Sequence, residues 1–291
     1  MRNFDYLAPD SVAEAVRLLA ENGERARPIA GGTDIVVQMK EKATRFPYPH
    51  VLIGLGQIGE LRGIEFSEQA GLRIGAGATM TEVSEHPEVR ERYMAIAEGA
   101  GVVGSWQTMN MATIGGNVCN AAPSADTAPA LLAFEAHAVI VGPSGRRTVD
   151  LQELFAGPGK TTLGPGELLA EVRAPAPAAG TGSAYQRHTP RKQMDIAVVG
   201  VAAVVTLGES GRIERARIAL GAVAPTPVRA PQAEASLVGQ TPDQEAFARA
   251  AELAASECSP ISDLRGSAEL RLHLVRVMVE RLLQSAATRA G

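Results

Sequence analysis

Two cysteines, Cys119 and Cys258, are all that the 291 residues carry, and they lie far apart. They belong to no CxxC pair and no Cys/His cluster. That excludes a zinc site or an iron–sulfur cluster built from this chain alone and fits a reducing cytoplasm. No apolar run reaches transmembrane length, and residues 1–6 lack the apolar stretch of a secretory signal, so a cytoplasmic location is expected. The net charge of −4 gives no support to binding of nucleic acid or an anionic membrane. Between Tyr93 and Gly145 there is no Lys or Arg at all. The five histidines (His50, His86, His137, His188, His273) have no ligand spacing, and no nucleophile elbow is present. No residue is therefore assigned a catalytic role, and the chemistry is expected to reside in a bound cofactor. With 45% apolar and 21% charged residues, the chain has the composition of an ordinary globular protein with ample core.

Two short stretches stand out against that background. Pro28, Ile29, Ala30, Gly31, Gly32, Thr33 and Asp34 form the first, with Ile35 just beyond. Thr113, Ile114, Gly115, Gly116 and Asn117 form the second. Each is a short apolar lead-in, a glycine pair and a small polar residue. Paired glycines let the backbone turn with positive φ and bring its N–H groups to a ligand with no Cβ in the way. Successive N–H groups then form a concave nest for anions, phosphates above all. Two such turns predict a diphosphate held by both. The second lies in the stretch without Lys or Arg, so a phosphate there is to be met by backbone N–H groups and hydroxyls such as that of Thr113. This suits a tightly kept cofactor better than a nucleic acid, which needs many cationic contacts.

The remaining pattern is that of an α+β protein. Ser11 and Glu14 have capping-box spacing, Val12, Val16 and Leu19 share a helical face, and Gly23 closes that helix. Residues 27–30 read as a strand entering the first glycine turn, and 34–40 as a helix leaving it, whose dipole adds to the anion site. Strands are predicted at 50–55 and 72–77. Thr79 and Glu82 form a second capping box, opening a helix interrupted near Pro87 and ending between Gly99 and Gly104. Residues 104–120 read as an irregular, ligand-facing segment. A helix over 127–134 and a hairpin over 138–149, turning at Pro143, Ser144 and Gly145, come next. A Pro/Ala/Gly connector at 174–183 marks the expected domain boundary. Beyond it come strands at 196–207 and 213–223, a helix over 245–257, and a final helix from about Leu264. Its Leu270, Leu274, Met278 and Leu282 form an i, i+4 stripe expected to face the core.

Two nucleotide-binding lookalikes are set aside. Gly157, Gly159, Lys160 and Thr161 resemble the end of a P-loop, but its first glycine would fall on Leu154. Gly75 and Gly77 begin a dinucleotide fingerprint whose third glycine would be Met80.

Taken together, the motifs resemble the FAD-binding medium subunits of molybdenum hydroxylases, the group of carbon monoxide and xanthine dehydrogenases, over essentially the whole chain. The carriers are AGGTD at Ala30 to Asp34, TIGGN at Thr113 to Asn117, NAAPSAD at Asn120 to Asp126, PGELL ending at Leu169, and RHTPRKQMDIA from Arg187. The resemblance implies a two-lobed FAD-binding fold of the vanillyl-alcohol-oxidase type at 1–176, with lobes of about 1–57 and 58–176. A small α+β domain would follow at 183–287. FAD would lie between the lobes, its pyrophosphate on both glycine pairs, with Asn120 and Ser124 in the flanking segment. Asp126 would hold the ribityl or ribose end, Leu169 would pack by the ring, and Arg187 would lie near its pyrimidine edge. The loop from Arg187, with Arg191 and Lys192, would run past the ring. The implied partners are a large molybdopterin subunit, which chooses the organic substrate, and a small [2Fe–2S] subunit, in a dimer of heterotrimers. The competing expectation is a free-standing FAD oxidoreductase with its own substrate.

Overall fold

The computed structural model describes residues 2–41 and 47–291. The first elements are β1 (Asp5–Leu7), α1 (Val12–Asn22), β2 (Ala26–Ile29), α2 (Ile35–Glu41) and β3 (Val51–Gly54). The strands form a parallel sheet in the order β1-β3-β2. Ser11 caps α1 by accepting from the Glu14 N–H, and Gly23 ends it at φ 53° with its N–H on the Leu19 carbonyl. The expected capping box is only half made. Glu14 turns to Arg17 at 3.5 Å, and the first helical N–H, of Val12, donates to Glu60 Oε2 at 2.6 Å. Ala15, Val16 and Leu19 of α1 share a core with Val51, Ile53 and Leu61.

The second body runs through β4 (Ile64–Ser67), β5 (Gly71–Gly75), α3 (Met80–Glu85), α4 (Pro87–Arg92), α5 (Met94–Ala100), α6 (Trp106–Met109), α7 (Ile114–Asn120) and α8 (Thr127–Ala133). It continues with β6 (His137–Gly142), β7 (Gly145–Asp150), α9 (Leu151–Leu154), β8 (Phe155–Gly157), β9 (Lys160–Thr161) and β10 (Leu168–Ala174). Five of these strands make an antiparallel sheet, β4-β5-β10-β6-β7. The capping box at Thr79 and Glu82 is complete, with bonds of 2.7 and 3.2 Å. Pro87 breaks the helical run as predicted, and it sits at the first position of α4, where a missing N–H costs nothing.

Residues 104–120 depart from the irregular segment expected. They hold α6, capped by Ser105, and α7, capped by Thr113. Gly115 and Gly116 are not a turn but the first turn of α7. Glycine argues against a helix by propensity alone. Here the Thr113 cap and the fully buried Ile114 and Val118 outweigh it.

The C-terminal body holds β11 (Thr181–His188), β12 (Val199–Leu207), β13 (Ile213–Gly221) and β14 (Val228–Arg229), an antiparallel sheet in that order. α10 (Pro231–Leu237), α11 (Gln244–Ser256) and α12 (Ala268–Ala290) cover it, with a separate core of Val201, Val205, Ile218, Phe247, Val279 and Leu283 among others. The expected stripe on α12 is corrected. Met278 and Leu282 are buried, but Leu274 is only half-buried and Leu270 is 42% exposed. Each i, i+4 step advances about 40° around a helix, so four such residues wind off a flat core. The inward face carries Arg271 and Val275 instead. Arg271 Nη1 donates to the carbonyls of Val198 and Ala222 and its Nη2 to Asp263, while Nε is buried without a partner.

Candidate cofactor site

At the end of β2 the chain enters the first glycine pair. Gly32 sits at φ 73°, the left-handed region that glycine tolerates without strain. Among the described residues, the N–H groups of Gly31, Gly32 and Thr33 have no hydrogen-bond partner. Pro28 and Ala30 are exposed, while Ile29, Thr33 and Ile35 are half-buried. This loop is an open donor edge.

The second glycine pair is built differently. The Ile114 N–H donates to the Ala78 carbonyl and that of Gly115 to Ala76, both at 2.9 Å. Gly116 donates to Thr113 Oγ1 at 3.1 Å, and Asn117 to the Thr113 carbonyl at 3.0 Å. The nest of free N–H groups expected there is thus closed by the protein itself. Gly115 is glycine for packing: a Cβ would lie 2.6 Å from the Ala76 Cβ and 2.7 Å from its carbonyl oxygen. Gly116 is exposed, and a Cβ there would meet only the Thr113 hydroxyl.

The two stretches nevertheless meet. A Cβ on Gly31 would lie 1.8 Å from the carbonyl oxygen of Met111, so the first loop lies directly on the backbone leading into α7. Asn120, at the end of α7, donates to Asp34 Oδ1 at 3.2 Å. From the same helix, Asn117 Oδ1 accepts from the Thr127 hydroxyl at 2.6 Å. α7 therefore joins the first loop to the start of α8, where Asp126 sits.

Asp126 is 7% exposed. Its Oδ2 accepts from Arg187 Nη1 at 2.6 Å, and its Oδ1 from the Tyr185 hydroxyl at 2.8 Å. Tyr185 and Arg187 are two residues apart on β11 and so lie on one face of the strand. The cation that residues 93–145 lack is supplied by β11. The Arg187 side chain is 6% exposed, and its Nη2 is buried without a hydrogen-bond partner. Arg187 also lines a cavity of about 810 Å³ with Trp106, His188, Arg191 and Lys192. Met194, beyond Lys192, donates its N–H to the Gly104 carbonyl at 3.2 Å, which ties that loop to the segment before α6. Ser124 is half-buried, and Leu169 is a core side chain of β10, 4% exposed. Tyr185 and Thr127 were not singled out from sequence. Only the i, i+2 spacing of Tyr185 from Arg187 hinted at the first.

Burial pushes the Asp126 carboxyl up to about 6, with Arg187 and the Tyr185 hydroxyl pulling it back down. Between its unfolded value near 4 and about 6, the folded protein holds a proton that the unfolded chain has released. Stability from this group is full below the unfolded value and is lost as pH rises through about 6. Two units correspond to about 3 kcal/mol. Asp126→Asn is expected to flatten this segment of the stability–pH curve, measured by urea unfolding at pH 4, 5, 6 and 7. An unchanged slope would show that another group carries it.

Comparison with known proteins agrees with the geometry. Residues 2–177 match the model of the FAD binding domain in molybdopterin dehydrogenase, and 184–286 that of the CO dehydrogenase flavoprotein C-terminal domain. The chain belongs to this flavoprotein family. The carbon monoxide dehydrogenase medium chain of Hydrogenophaga pseudoflava is 39% identical, covering 99% of this chain and 98% of the relative. A putative xanthine dehydrogenase FAD-binding subunit of Escherichia coli is 35% identical over 98% and 97%. Among solved structures, carbon monoxide dehydrogenase from H. pseudoflava superposes with a TM-score of 0.93 at 39% identity, covering 99% and 98% of the two chains. Quinoline 2-oxidoreductase from Pseudomonas putida 86 superposes with 0.91 at 32%, covering 99% and 98%. The flavoprotein's cofactor is FAD, and the chain is an oxidoreductase component of α+β fold. Among the described residues, no helix is long and apolar enough to cross a membrane.

Proposed function

We propose that this flavoprotein is the FAD-carrying electron-transfer subunit of a heteromeric molybdenum hydroxylase. Electrons from [2Fe–2S] clusters on a small partner subunit pass through FAD to a terminal acceptor. A large molybdopterin subunit performs the hydroxylation, and the assembly is a cytoplasmic dimer of heterotrimers. Residues 1–176 form the FAD-binding domain and 183–287 the C-terminal domain. FAD supplies the ability to take and release electrons singly or in pairs, which links one-electron clusters to a two-electron acceptor.

The observation that carries this reading is the row of N–H groups at Gly31, Gly32 and Thr33, which no group among the described residues accepts. Successive free N–H groups on a glycine turn form a nest for anions, and they would meet the pyrophosphate. Arg187, on the wall of the cavity of about 810 Å³, would lie near the flavin's pyrimidine edge, where a cation favours the negative charge of the reduced flavin. With the N-terminal donors of α7 already used, the second stretch would contribute the Thr113 hydroxyl and the Asn117 side-chain amide. Neither cysteine competes for metal, because burial pushes both thiols up to about 12.

The visible absorption spectrum of the purified chain, with its cofactor released and identified by chromatography, tests the proposal. A yellow protein releasing FAD is expected. A colourless chain that takes up no FAD, alone or with its partner subunits, would overturn it. Turnover of an organic substrate by the isolated chain would point to a free-standing enzyme instead.

A further inference from the structure

Thr127 has no role in the reading so far. It is the first residue of α8 and is fully buried. Gly99 of α5 lets the backbone there come close: a Cβ on Gly99 would lie 2.7 Å from the Asp126 carbonyl oxygen and 3.5 Å from the Thr127 Cα. The start of α8 is thus held in the core, and from it the Thr127 hydroxyl donates to Asn117 Oδ1 at 2.6 Å. On α7, Asn117 follows the exposed Gly116 and is half-buried. Its Nδ2 has no hydrogen-bond partner among the described residues and, unlike Arg187 Nη2, is not closed off from solvent.

A primary amide carries an acceptor and two donors on one planar group, and its last torsion is broad and roughly two-fold. Without a partner it turns its oxygen outward as readily as its nitrogen. Toward a phosphate the two differ sharply, since nitrogen bonds the anion and oxygen repels it. A threonine hydroxyl can also accept from Nδ2, but that would turn Oδ1 toward the phosphate. With an anion on the open side, only the orientation seen here satisfies both ends of the amide. We propose that Thr127 is a positioning residue of the cofactor site: its hydroxyl holds Asn117 Oδ1 and so presents Asn117 Nδ2 to the pyrophosphate. The inference rests on the proposed FAD role of the second glycine stretch and adds a reason for the orientation of its amide.

Two substitutions separate positioning from packing. Thr127→Val keeps the shape of the side chain and removes only the hydroxyl, so the core stays filled while the Asn117 amide is released. Loss of one neutral hydrogen bond's worth of orientation corresponds to about threefold to tenfold weaker FAD binding. Thr127→Ser does the opposite: it keeps the hydroxyl and deletes a buried methyl, which lowers stability and leaves the amide held. A threonine that merely filled the core would leave FAD affinity of the folded protein unchanged in both variants.

The test strips the full-length chain of cofactor and titrates it with FAD, following flavin fluorescence, with urea unfolding of the apo form in parallel. If the isolated chain holds no FAD, the same titration uses the assembled complex. Thr127→Val should bind FAD at least threefold more weakly, and Thr127→Ser with wild-type affinity despite its lower stability. Thr127→Ala also lacks the hydroxyl and takes the place of Thr127→Val if that variant fails to fold. In an Asn117→Ala background, Thr127→Val should cause no further loss, since the amide it acts through is gone. Asn117→Asp keeps an acceptor for the threonine but puts an oxygen where Nδ2 was, and should bind FAD more weakly than Asn117→Ala. Wild-type affinity in Thr127→Val, an equal loss in Thr127→Ser or in the Asn117→Ala background, or binding by Asn117→Asp as tight as by Asn117→Ala would overturn the positioning role while leaving the FAD assignment intact. Failure of the wild-type chain and complex to bind FAD would overturn both.

Discussion

Arg187→Met is expected to lose the cofactor and about 3 kcal/mol of stability at neutral pH. The side chain is 6% exposed and is the ion-pair partner of a carboxylate 9% exposed, so its removal leaves Asp126 buried beside only the Tyr185 hydroxyl. Without the guanidinium, the pull that brings the Asp126 carboxyl down to about 6 is gone. It then takes up a proton at neutral pH, which limits the cost to the lower end of the range for broken buried pairs. Arg187→Lys separates the two effects. An ammonium can keep the charge beside Asp126, but it is a point donor without the planar, delocalised guanidinium. The lysine variant should therefore unfold at nearly wild-type urea concentration and bind FAD clearly more weakly. The methionine variant should fail in both measurements. Wild-type FAD affinity in Arg187→Met would remove Arg187 from the site.

The split between what the sequence disclosed and what it hid follows from the range of the forces involved. Short-range signals were legible. The Thr79 and Glu82 capping box, the Pro87 break, the Pro143 to Gly145 turn and the Gly23 stop each depend on a few neighbouring residues, and each formed where predicted. The Ser11 and Glu14 box failed in its second half: Glu14 pairs with Arg17 on the exposed face instead of turning back to the Ser11 N–H. Propensity also misled at Gly115 and Gly116. Their helix is set by burial of Ile114 and Val118 and by contact with Ala76, none of which is visible in a window of 17 residues without a charge.

The site shows the same division. That two glycine pairs converge was readable as similarity of pattern, and Asn120 on Asp34 joins them. That one pair presents donors and the other spends them on its own backbone was not, because the two differ in what packs beside them. Asp126 and Arg187 were singled out by family resemblance. Their direct contact, with the Tyr185 hydroxyl on the same carboxylate, forms where Asp126 at the start of α8 meets the side chains of β11, a strand that otherwise packs on α5 and α12, and no local pattern specifies that meeting.

The convergence gives the sharpest structural test. Gly31→Ala is expected to abolish FAD retention, with affinity falling more than about a hundredfold, although the protein should still fold. The new Cβ would sit 1.8 Å from the Met111 carbonyl oxygen and 2.5 Å from its carbon. These are backbone atoms, so no rotamer change relieves the clash, and the first loop must lift from the segment leading into α7. Lifting separates the open donors of Gly31, Gly32 and Thr33 from Thr113 and Asn117 and breaks the Asn120 to Asp34 bond. Gly32→Ala is the control. It forces alanine to φ 73°, a strain of about 1–2 kcal/mol, but its Cβ would meet only the Ile29 and Val36 side chains at 3.3 Å, which can give way. FAD titration of both variants, with circular dichroism to verify folding, should therefore rank Gly31→Ala as far the more damaging. If Gly31→Ala retains FAD with wild-type affinity, contact between the two stretches is not what holds the cofactor. The reverse ranking would mean that the left-handed turn at Gly32, rather than that contact, is the feature FAD requires.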